Sequence, residues 1–437
     1  MTVEAIHAPA GPSDIPVEFI LFGLTLVGVA AFYGRALRVA LLGLAAITLY
    51  KIAFTGFKFG TGVPGLAAHM GHEWVLLANL LLLLTGFAIL SRYFEASNVP
   101  EALPAILPDD WKGGFALLTI IAVLSSVLDN IAAALLGGTM AKHVFRGRVH
   151  IGFVAAIVAA SNAGGAGSVL GDTTTTMMWI CGVSPLAVLH AYVAGLVALF
   201  IFGIPAALYQ QRFSPIVRDP APGTTIEWMR LIVVLVILLT AVAANVAANV
   251  FFPEALVHVP VIGLAVWAAI LFAAPIRRPD WGILPEALAG AIFLLALVTC
   301  ASMMPVERLP AASWQATLGL GFISAVFDNI PLTSLALRQG GYDWGLLAFA
   351  VGFGGSMVWF GSSAGVAISN IFPEAKSAVG WLRHGWFVAV AYVVGFFVML
   401  AIVGWSADPS HPERRVPSRS AAATVCPCLA APATMAS

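Results

Sequence analysis

One motif occurs twice in the chain, as Ser125-Ser-Val-Leu-Asp-Asn-Ile131 and, 199 residues later, as Ser324-Ala-Val-Phe-Asp-Asn-Ile330. Each copy places an Asp-Asn pair inside a long apolar stretch, 113–141 in the first half and 315–337 in the second. A carboxylate at the centre of a membrane helix costs at least about 2.5–3.5 kcal/mol, so it usually has a partner or a function. The repeated pair therefore indicates a duplicated element that carries a function.

The composition is that of a membrane protein. Of the 437 residues, 60% are hydrophobic and only 10% are charged, and the mean hydropathy is +0.96. Soluble domains carry about 25% charged residues, which excludes a water-soluble enzyme of this size. Lys and Arg balance Asp and Glu at 21 each, so there is no basic surface for nucleic acid. The four cysteines lack metal-ligand spacing and indicate neither a disulfide framework nor a zinc site.

Eight apolar runs are long enough to cross a bilayer once, since one span needs about 20 residues. These plain spans are predicted at 17–33, 38–55, 74–95, 187–211, 227–251, 258–276, 285–304 and 383–405. His69, His72 and Glu73 precede the third run, and we expect them in a solvated loop at the membrane edge.

Two further apolar stretches, 151–182 and 343–378, are each interrupted by Gly- and Ser-rich sequence. Irregular backbone at membrane depth persists only where protein buries it or water fills a cavity, so these breaks are candidates for a substrate site. We align residues 163–168 of the first break with 364–369 of the second, an offset of 201. Two matches in the same order indicate an internal duplication.

The number of crossings sets the relation between the two halves. If each Asp-Asn segment is a re-entrant hairpin and each Gly-rich segment a broken span, each half crosses five times and the second half is inverted. Inverted repeats with discontinuous helices are typical of secondary transporters. We therefore predict an all-α polytopic membrane protein of two inverted repeats, each with five spans, a re-entrant hairpin and a broken helix. If the hairpins are full crossings instead, each half has six and the repeats are parallel.

Basic residues favour the re-entrant arrangement. It places fourteen Lys and Arg on one face and seven on the other, three of the seven in the tail. The positive-inside rule puts the richer face in the cytoplasm and both termini outside, and we expect a bacterial inner membrane. With full crossings, the basic run Lys142–Arg148 would lie outside.

The domain organisation follows from these spans. We predict a short N-terminal segment (1–16), a first repeat (17–211), a linker (212–226), a second repeat (227–405) and a tail (406–437). The tail is rich in Pro, Ser and Ala without apolar periodicity, and we expect it to be disordered. No cleavable signal peptide is expected, because the first segment lacks a basic region.

The acidic residues of the hairpins and breaks are candidates for ion binding. No Lys or Arg lies in the hairpin tips or in the Gly-rich breaks themselves to neutralise Asp129, Asp172 or Asp328. A cation, a proton or the N–H groups of a helix end remain as partners. Asp172 precedes four threonines and could simply be the N-cap of a half-helix, as the hairpin carboxylates could be for theirs. The two roles are compatible, because a capping carboxylate keeps one free oxygen.

Oxygens of the hairpin tips and breaks suit a hard cation. Asn130, Asp172 and Asn329 are the candidate Na⁺ ligands. Gly164 and Gly165 allow close backbone approach beside them, although tight helix packing through small residues is the alternative explanation. Half-helix C-termini favour cations and N-termini favour anions, so this architecture accommodates either ligand.

At these residues the sequence resembles the ion transporter superfamily, which has a citrate-transporter-like fold, and within it the NhaD-type sodium/proton antiporters. The resemblance spans both repeats and rests on Leu128-Asp-Asn-Ile131, Asn162-Ala-Gly-Gly-Ala-Gly-Ser-Val-Leu-Gly-Asp-Thr-Thr174, Ser324-x-x-x-Asp-Asn-Ile-Pro331 and Gly361-Ser-Ser-Ala-Gly-Val366. It implies that a set of polar residues contributes to ion binding and proton coupling: Asn162, Asp172, Thr173, Thr174, Ser324, Asn329, Ser362 and Ser363.

Two transport functions remain open. The first is exchange of Na⁺ (or Li⁺) for H⁺ by alternating access, because Na⁺ favours an ionised carboxylate and protonation neutralises it. The alternative is Na⁺- or H⁺-coupled symport of citrate, another di- or tricarboxylate, or an inorganic anion. Symporters of the superfamily carry Ser-Asn-Thr at the hairpin tips, whereas this chain has Leu-Asp-Asn and Phe-Asp-Asn.

The other functional expectations concern partners and chemistry. We expect no enzyme, because no nucleophile–base pair or metal cluster falls in the membrane and no phosphate-binding loop occurs. The lipid bilayer and small ions, or a small anionic substrate, are the expected partners, without nucleic acid. No cofactor is expected beyond Na⁺ or H⁺ as coupling ions. By family analogy alone, we expect a homodimer.

Overall fold

The structure is a computed structural model that describes residues 15–32, 35–99, 107–216, 225–252 and 258–408. Within these residues the regular structure is helical, apart from one isolated bridge between Phe57 and Gly60. Most of the predicted tail and of the predicted N-terminal segment, and the middle of the linker, lie outside the described residues.

The helices of the first half are α1 (Val17–Ala31), α2 (Ala36–Tyr50), α3 (Gly62–Glu95), α4 (Trp111–Ser125), α5 (Asn130–Val144), α6 (Ile151–Ala166), α7 (Thr173–Ile180), α8 (Pro185–Leu189) and α9 (Ala191–Phe213). Those of the second half are α10 (Trp228–Phe251), α11 (Val261–Ala273), α12 (Leu284–Ser302), α13 (Trp314–Ser324), α14 (Asn329–Gln339), α15 (Trp344–Gly354), α16 (Ser363–Ile371), α17 (Ala378–His384) and α18 (Trp386–Val403). A π-helical turn, Lys51–Thr55, extends α2.

Five helical segments in the described part of the chain are long and apolar enough to cross a membrane: Ala36–Thr55, Gly62–Glu95, Pro185–Phe213, Trp281–Ser302 and Trp386–Val403. Shorter apolar helices, including α1, α10 and α11, occupy the other predicted plain spans. The described part of the chain is therefore all-helical, as expected of a polytopic membrane protein.

The loop predicted around His69 and Glu73 is wrong, because α3 begins at Gly62 and both side chains are buried within it. His69 Nε2 lies 2.9 Å from Ser302 Oγ on α12. Glu73 accepts two hydrogen bonds from the Arg338 guanidinium on α14, at 2.6 and 3.1 Å. Both polar side chains can be buried in α3 because helices far away in sequence supply their hydrogen-bond partners.

Each Asp-Asn pair lies at the turn between two helices, α4 and α5 in the first half and α13 and α14 in the second. Asp129 and Asp328 are the N-caps of the second helix. Their carboxylates accept from the backbone N–H groups of Ile131, at 3.2 Å, and Ile330, at 3.1 Å. Unpaired N–H groups at a helix start favour a carboxylate, so the motif forms the turn itself.

The Gly-rich sequences interrupt helices as predicted. A non-helical segment separates α6 from α7 and another separates α15 from α16. The helix after each break is capped, since Asp172 Oδ1 accepts from Thr174 N at 2.9 Å and Ser362 Oγ accepts from Gly365 N at 3.3 Å. Every residue of α15 and nearly every residue of α6 is buried.

The predicted alignment of the two breaks at an offset of 201 is wrong. Residues 163–166 form the last turn of α6, before the break, whereas 364–369 lie in α16, after it. The matched letters are small residues that recur on both sides of the breaks. Their similarity reflects composition and not equivalent positions.

An offset of 190 pairs residues with equal surroundings. A Cβ at Gly165 would lie 2.7 Å from the carbonyl oxygen of Gly171, and a Cβ at Gly355 would lie 2.7 Å from that of Gly361. The hairpin tips align at an offset of 199 and the breaks at an offset of 190. The segment between tip and break is therefore shorter in the second half. Asp172 of the first break therefore corresponds to Ser362 of the second.

The helices pack in three apolar clusters. The largest is built mainly from the hairpins, the broken helices, α9 and α18. A second joins α3 to α10 and α11, and a third joins α1 and α2 to α12. The hairpins and breaks of both halves thus share one central body with other helices at its flanks.

Gly164 lies where α6 crosses α4, and a Cβ there would collide with the backbone carbonyl of Ala122. We expect Gly164→Ala to destabilise the protein by about 1–3 kcal/mol, because a backbone contact cannot yield as a flexible side chain does. A lower thermal unfolding midpoint in detergent would show this. Gly319→Ala on α13 is the control, since its Cβ meets no atom within 4 Å. Equal midpoints for the two variants would contradict the packing role.

Candidate ion-binding site

The two breaks meet in the central body through Asn162. This residue, near the end of α6, donates from Nδ2 to Ser356 Oγ at 2.9 Å and to Ser362 Oγ at 3.2 Å, both in the second break. Its Oδ1 accepts from Asn130 Nδ2 at the first hairpin tip, at 3.1 Å. Asn162 therefore connects the first hairpin, the first broken helix and the second break.

The tip carboxylates bind the break of their own half. Thr173 Oγ1 lies 3.5 Å from Asp129 Oδ1, a long hydrogen bond. Ser363 Oγ donates to Asp328 Oδ2 at 2.8 Å. Thr173 and Ser363 are equivalent at the 190 offset and begin α7 and α16. Both oxygens of each tip carboxylate are thus engaged, one by a backbone N–H group and one by a hydroxyl.

Serines fix each hairpin to the helix before the break. Ser125 Oγ donates to the carbonyl of Ser161 at 2.6 Å, and Ser324 Oγ donates to that of Val351 at 2.7 Å. Ser324, a predicted ion ligand, is fully buried in this arrangement. Its hydroxyl hydrogen is used by the backbone, while its oxygen remains able to accept.

Asp172 differs from the tip carboxylates. Only 1% of the residue is exposed, and Oδ1 caps α7. Among the described residues, Oδ2 of Asp172 and Oγ1 of the buried Thr174 have no hydrogen-bond partner. A buried carboxylate oxygen without a partner is costly unless a proton or a cation neutralises it. Within the described residues of the hairpins and breaks, these two buried oxygens are the ones without a partner, which makes them the candidate ligands for a small cation or a proton.

The predicted glycines lie beside Asp172. A Cβ at Gly165 would lie 3.1 Å from the Asp172 Cβ. The carbonyl of Gly164 accepts from Ser126 Oγ at 3.2 Å. Both glycines thus hold the backbone in close contact around the break, beside Asp172.

The two tip asparagines have different surroundings. Asn130 and Asn329 are both buried, at 5% and 4% exposure. Asn130 bonds to Asn162, whereas the side chain of Asn329 makes no hydrogen bond to this network within the described ranges. The structure therefore brings Asn130, Asn162 and Ser362 together and leaves Asn329 at the second tip.

Ser356 and Gly352 belong to this region and were missed by sequence reasoning. The signal was present, as Gly164-Gly-x5-Gly-Asp-Thr173 and Gly354-Gly-x5-Gly-Ser-Ser363. Those strings align at the 190 offset. The alignment would have identified Ser356 as the equivalent of Ala166 and Gly352 as the equivalent of Asn162.

The ligand chemistry of the region is oxygen-based. The part of the chain that the structure describes holds no cluster of three or more His, Cys, Asp or Glu suited to a metal ion. Amide, hydroxyl and carboxylate oxygens are hard ligands, which suit alkali cations better than transition metals.

Comparison with known proteins supports the motif resemblance, although no protein-family model matches the chain. It is 26% identical over 436 residues to sodium/proton antiporter 1 of Arabidopsis thaliana, covering 88% of this chain and 72% of that protein. It is 27% identical over 469 residues to Na⁺/H⁺ antiporter NhaD of Alkalimonas amylolytica, covering 92% and 94%. The corresponding protein of Vibrio parahaemolyticus is 26% identical over 394 residues, covering 74% and 90%. The predicted resemblance to NhaD-type antiporters is confirmed, and these relatives are named as transporters rather than enzymes.

Proposed function

We propose that this protein exchanges Na⁺ (or Li⁺) for H⁺ across the membrane by alternating access. The observation that carries the proposal is Asp172, a fully buried carboxylate with one capping oxygen and one oxygen that no described residue partners. The relatives named as Na⁺/H⁺ antiporters support it.

Competition at Oδ2 of Asp172 supplies the exchange. Na⁺ needs the ionised carboxylate, and a proton on the same oxygen removes the charge, so the two ions exclude one another. The cap on α7 uses Oδ1, which accepts the Thr174 N–H group in either state. The helix therefore keeps its start while the ion changes.

The architecture of the proposal is two inverted repeats, each with a re-entrant hairpin. Its support is the charge asymmetry of the loops and the matching caps, hydroxyl bonds and breaks of the two halves. We place the protein in a bacterial inner membrane with both termini outside. The central body would move against the flanking helices, and a homodimer rests on family analogy alone.

A proteoliposome assay tests the proposal. Vesicles that carry the purified protein and a preset acidic interior receive Na⁺, Li⁺, K⁺ or citrate separately, and a fluorescent dye reports internal pH. We expect dequenching with Na⁺ or Li⁺, and none with K⁺, citrate or protein-free vesicles. Uptake of labelled citrate driven by Na⁺ or H⁺, without any response to cations alone, would contradict antiport and support the symport alternative.

Competition also predicts a pH dependence. In the pH range where Asp172 is mostly protonated, one proton must leave for each Na⁺ that binds. Lowering the pH by one unit should therefore raise the half-saturating Na⁺ concentration about tenfold. Initial rates of dequenching at several fixed pH values measure this. A half-saturating concentration that stays constant over the whole active pH range would contradict a shared site.

A further inference from the structure

The two broken helices contact one another at two equivalent places, which we call the first and the second crossing of the broken helices. At the 190 offset, Asn162 corresponds to Gly352 and Asp172 to Ser362. In the first crossing, Asn162 of the first half contacts Ser362 of the second. In the second crossing, Gly352 of the second half faces Asp172 of the first, where a Cβ on Gly352 would lie 3.2 Å from Asp172 Oδ2.

The first crossing is closed by side chains. The Asn162 amide binds the hydroxyls of Ser356 and Ser362, at 2.9 and 3.2 Å, and all three residues are buried. None of them carries a charge. A cation here would have to displace an existing hydrogen-bond network, which buried polar groups resist.

The second crossing is built from smaller groups around a charge. Ala166 stands at the position equivalent to Ser356. A Cβ added to Gly352 would lie 3.6 Å from the Cβ of Ala166. Glycine replaces the asparagine, so no amide reaches Oδ2 of Asp172. The space that a methyl group on Gly352 would fill therefore borders the one carboxylate oxygen of the site that no described residue partners.

We propose that Gly352 determines which ion Asp172 accepts, by leaving beside Oδ2 a space that holds one small dehydrated cation. Ala166 bounds the same space from α6. The first crossing binds no ion, and its side-chain network holds the two halves together. This inference rests on the proposed antiport and adds to it that ion size is set by a residue of the opposite half.

Substitutions at Gly352 test the inference in the proteoliposome assay. A methyl group 3.2 Å from Oδ2 is tighter than an ordinary contact. Gly352→Ala should raise the half-saturating Na⁺ concentration about tenfold, as one extra methyl group does in a filled pocket. It should affect the smaller Li⁺ less, so that the Li⁺/Na⁺ preference rises. Gly352→Asn copies the residue of the first crossing and should abolish the response to both ions.

The reciprocal variant enlarges the space. Ala166→Gly removes the methyl group on the other side, at the last residue of α6, directly before the C-cap Gly167. We expect the preference to move the opposite way, toward Na⁺ over Li⁺. Gly290→Ala on α12 is the control for adding a methyl group, because its Cβ meets no atom within 4 Å.

The outcomes separate this inference from the function on which it rests. If the wild type responds to Na⁺ and Li⁺ but both Gly352→Ala and Ala166→Gly keep its ion preference, the inference is overturned and antiport stands. If the wild type itself does not respond, the proposed function fails. Should Gly352→Ala not fold, the shift in Ala166→Gly still decides, since an unchanged preference there overturns the inference.

Discussion

Replacing Asp172 by serine is expected to reduce Na⁺-driven proton movement to the background of protein-free vesicles while the protein remains folded. The second break already uses serine at the equivalent position, where Ser362 Oγ caps α16 through Gly365 N. Serine at 172 therefore keeps a cap on α7 and removes only the charge. Without a carboxylate, the site neither balances a buried Na⁺ nor exchanges a proton for it.

Two further variants separate the charge from the cap. Asp172→Asn also caps and should be inactive with a nearly unchanged unfolding midpoint, whereas Asp172→Ala loses the cap as well and should lose about 1 kcal/mol of stability. Transport at the wild-type rate in the Ser and Asn variants would show that Asp172 is only a cap. In that case the ion site would have to lie elsewhere.

The elements of the fold were predictable because their signals are local. Apolar length locates the spans, and Asp129 and Asp328 stand at helix starts where a carboxylate accepts nearby N–H groups. The N-cap expected at Asp172 follows the same rule. None of these needs information from a distant part of the chain.

The contacts between halves were not predictable in this way. Asn162 reaches Ser356 and Ser362, and Glu73 reaches Arg338, over separations of 194, 200 and 265 residues. Small residues on both sides of each break also gave a false register. The correct register is the one that aligns the spaced glycines, whose backbones make equivalent close contacts in the two halves.

This register changes the interpretation of the candidate site. Identical roles for the two breaks would suggest two ion sites. The equivalent positions of the two halves instead carry different residues. Asp172 of the first half corresponds to Ser362 of the second, and Asn162 corresponds to Gly352. At these equivalent positions, the different side chains make the first crossing polar but uncharged, whereas the second leaves Oδ2 of Asp172 without a partner among the described residues.

Removal of Arg338 alone is expected to destabilise the protein by about 3–5 kcal/mol, which is typical for leaving one member of a buried ion pair unpaired. The Arg338 and Glu73 side chains are 11% and 6% exposed, and their closest atoms lie 2.6 Å apart. They connect α14 of the second hairpin to the flanking α3. Arg338→Leu leaves the Glu73 carboxylate buried without its cation, and a large fall in the thermal unfolding midpoint should follow.

An exposed pair on the same helix provides the matched control. Arg92 and Glu95 lie 2.7 Å apart, but their side chains are 44% and 29% exposed. Arg92→Leu should therefore change stability by less than about 1 kcal/mol. The difference between the two Arg→Leu variants reports the combined effect of burial and of the connection between two helices, because the chemistry and the contact distance are nearly the same.

The double variant Glu73→Leu/Arg338→Leu decides what the pair contributes. Well-packed apolar residues often replace a buried ion pair without loss, so the double variant should recover most of the stability that Arg338→Leu loses. The recovery, measured as the coupling term of a double-mutant cycle, assigns the penalty to the unpaired Glu73 rather than to the missing arginine stem. A double variant as unstable as Arg338→Leu would contradict this, and would mean that Arg338 stabilises the hairpin through contacts other than Glu73. If stability returns but transport does not, the pair serves the movement of the hairpin against α3 and not only the fold.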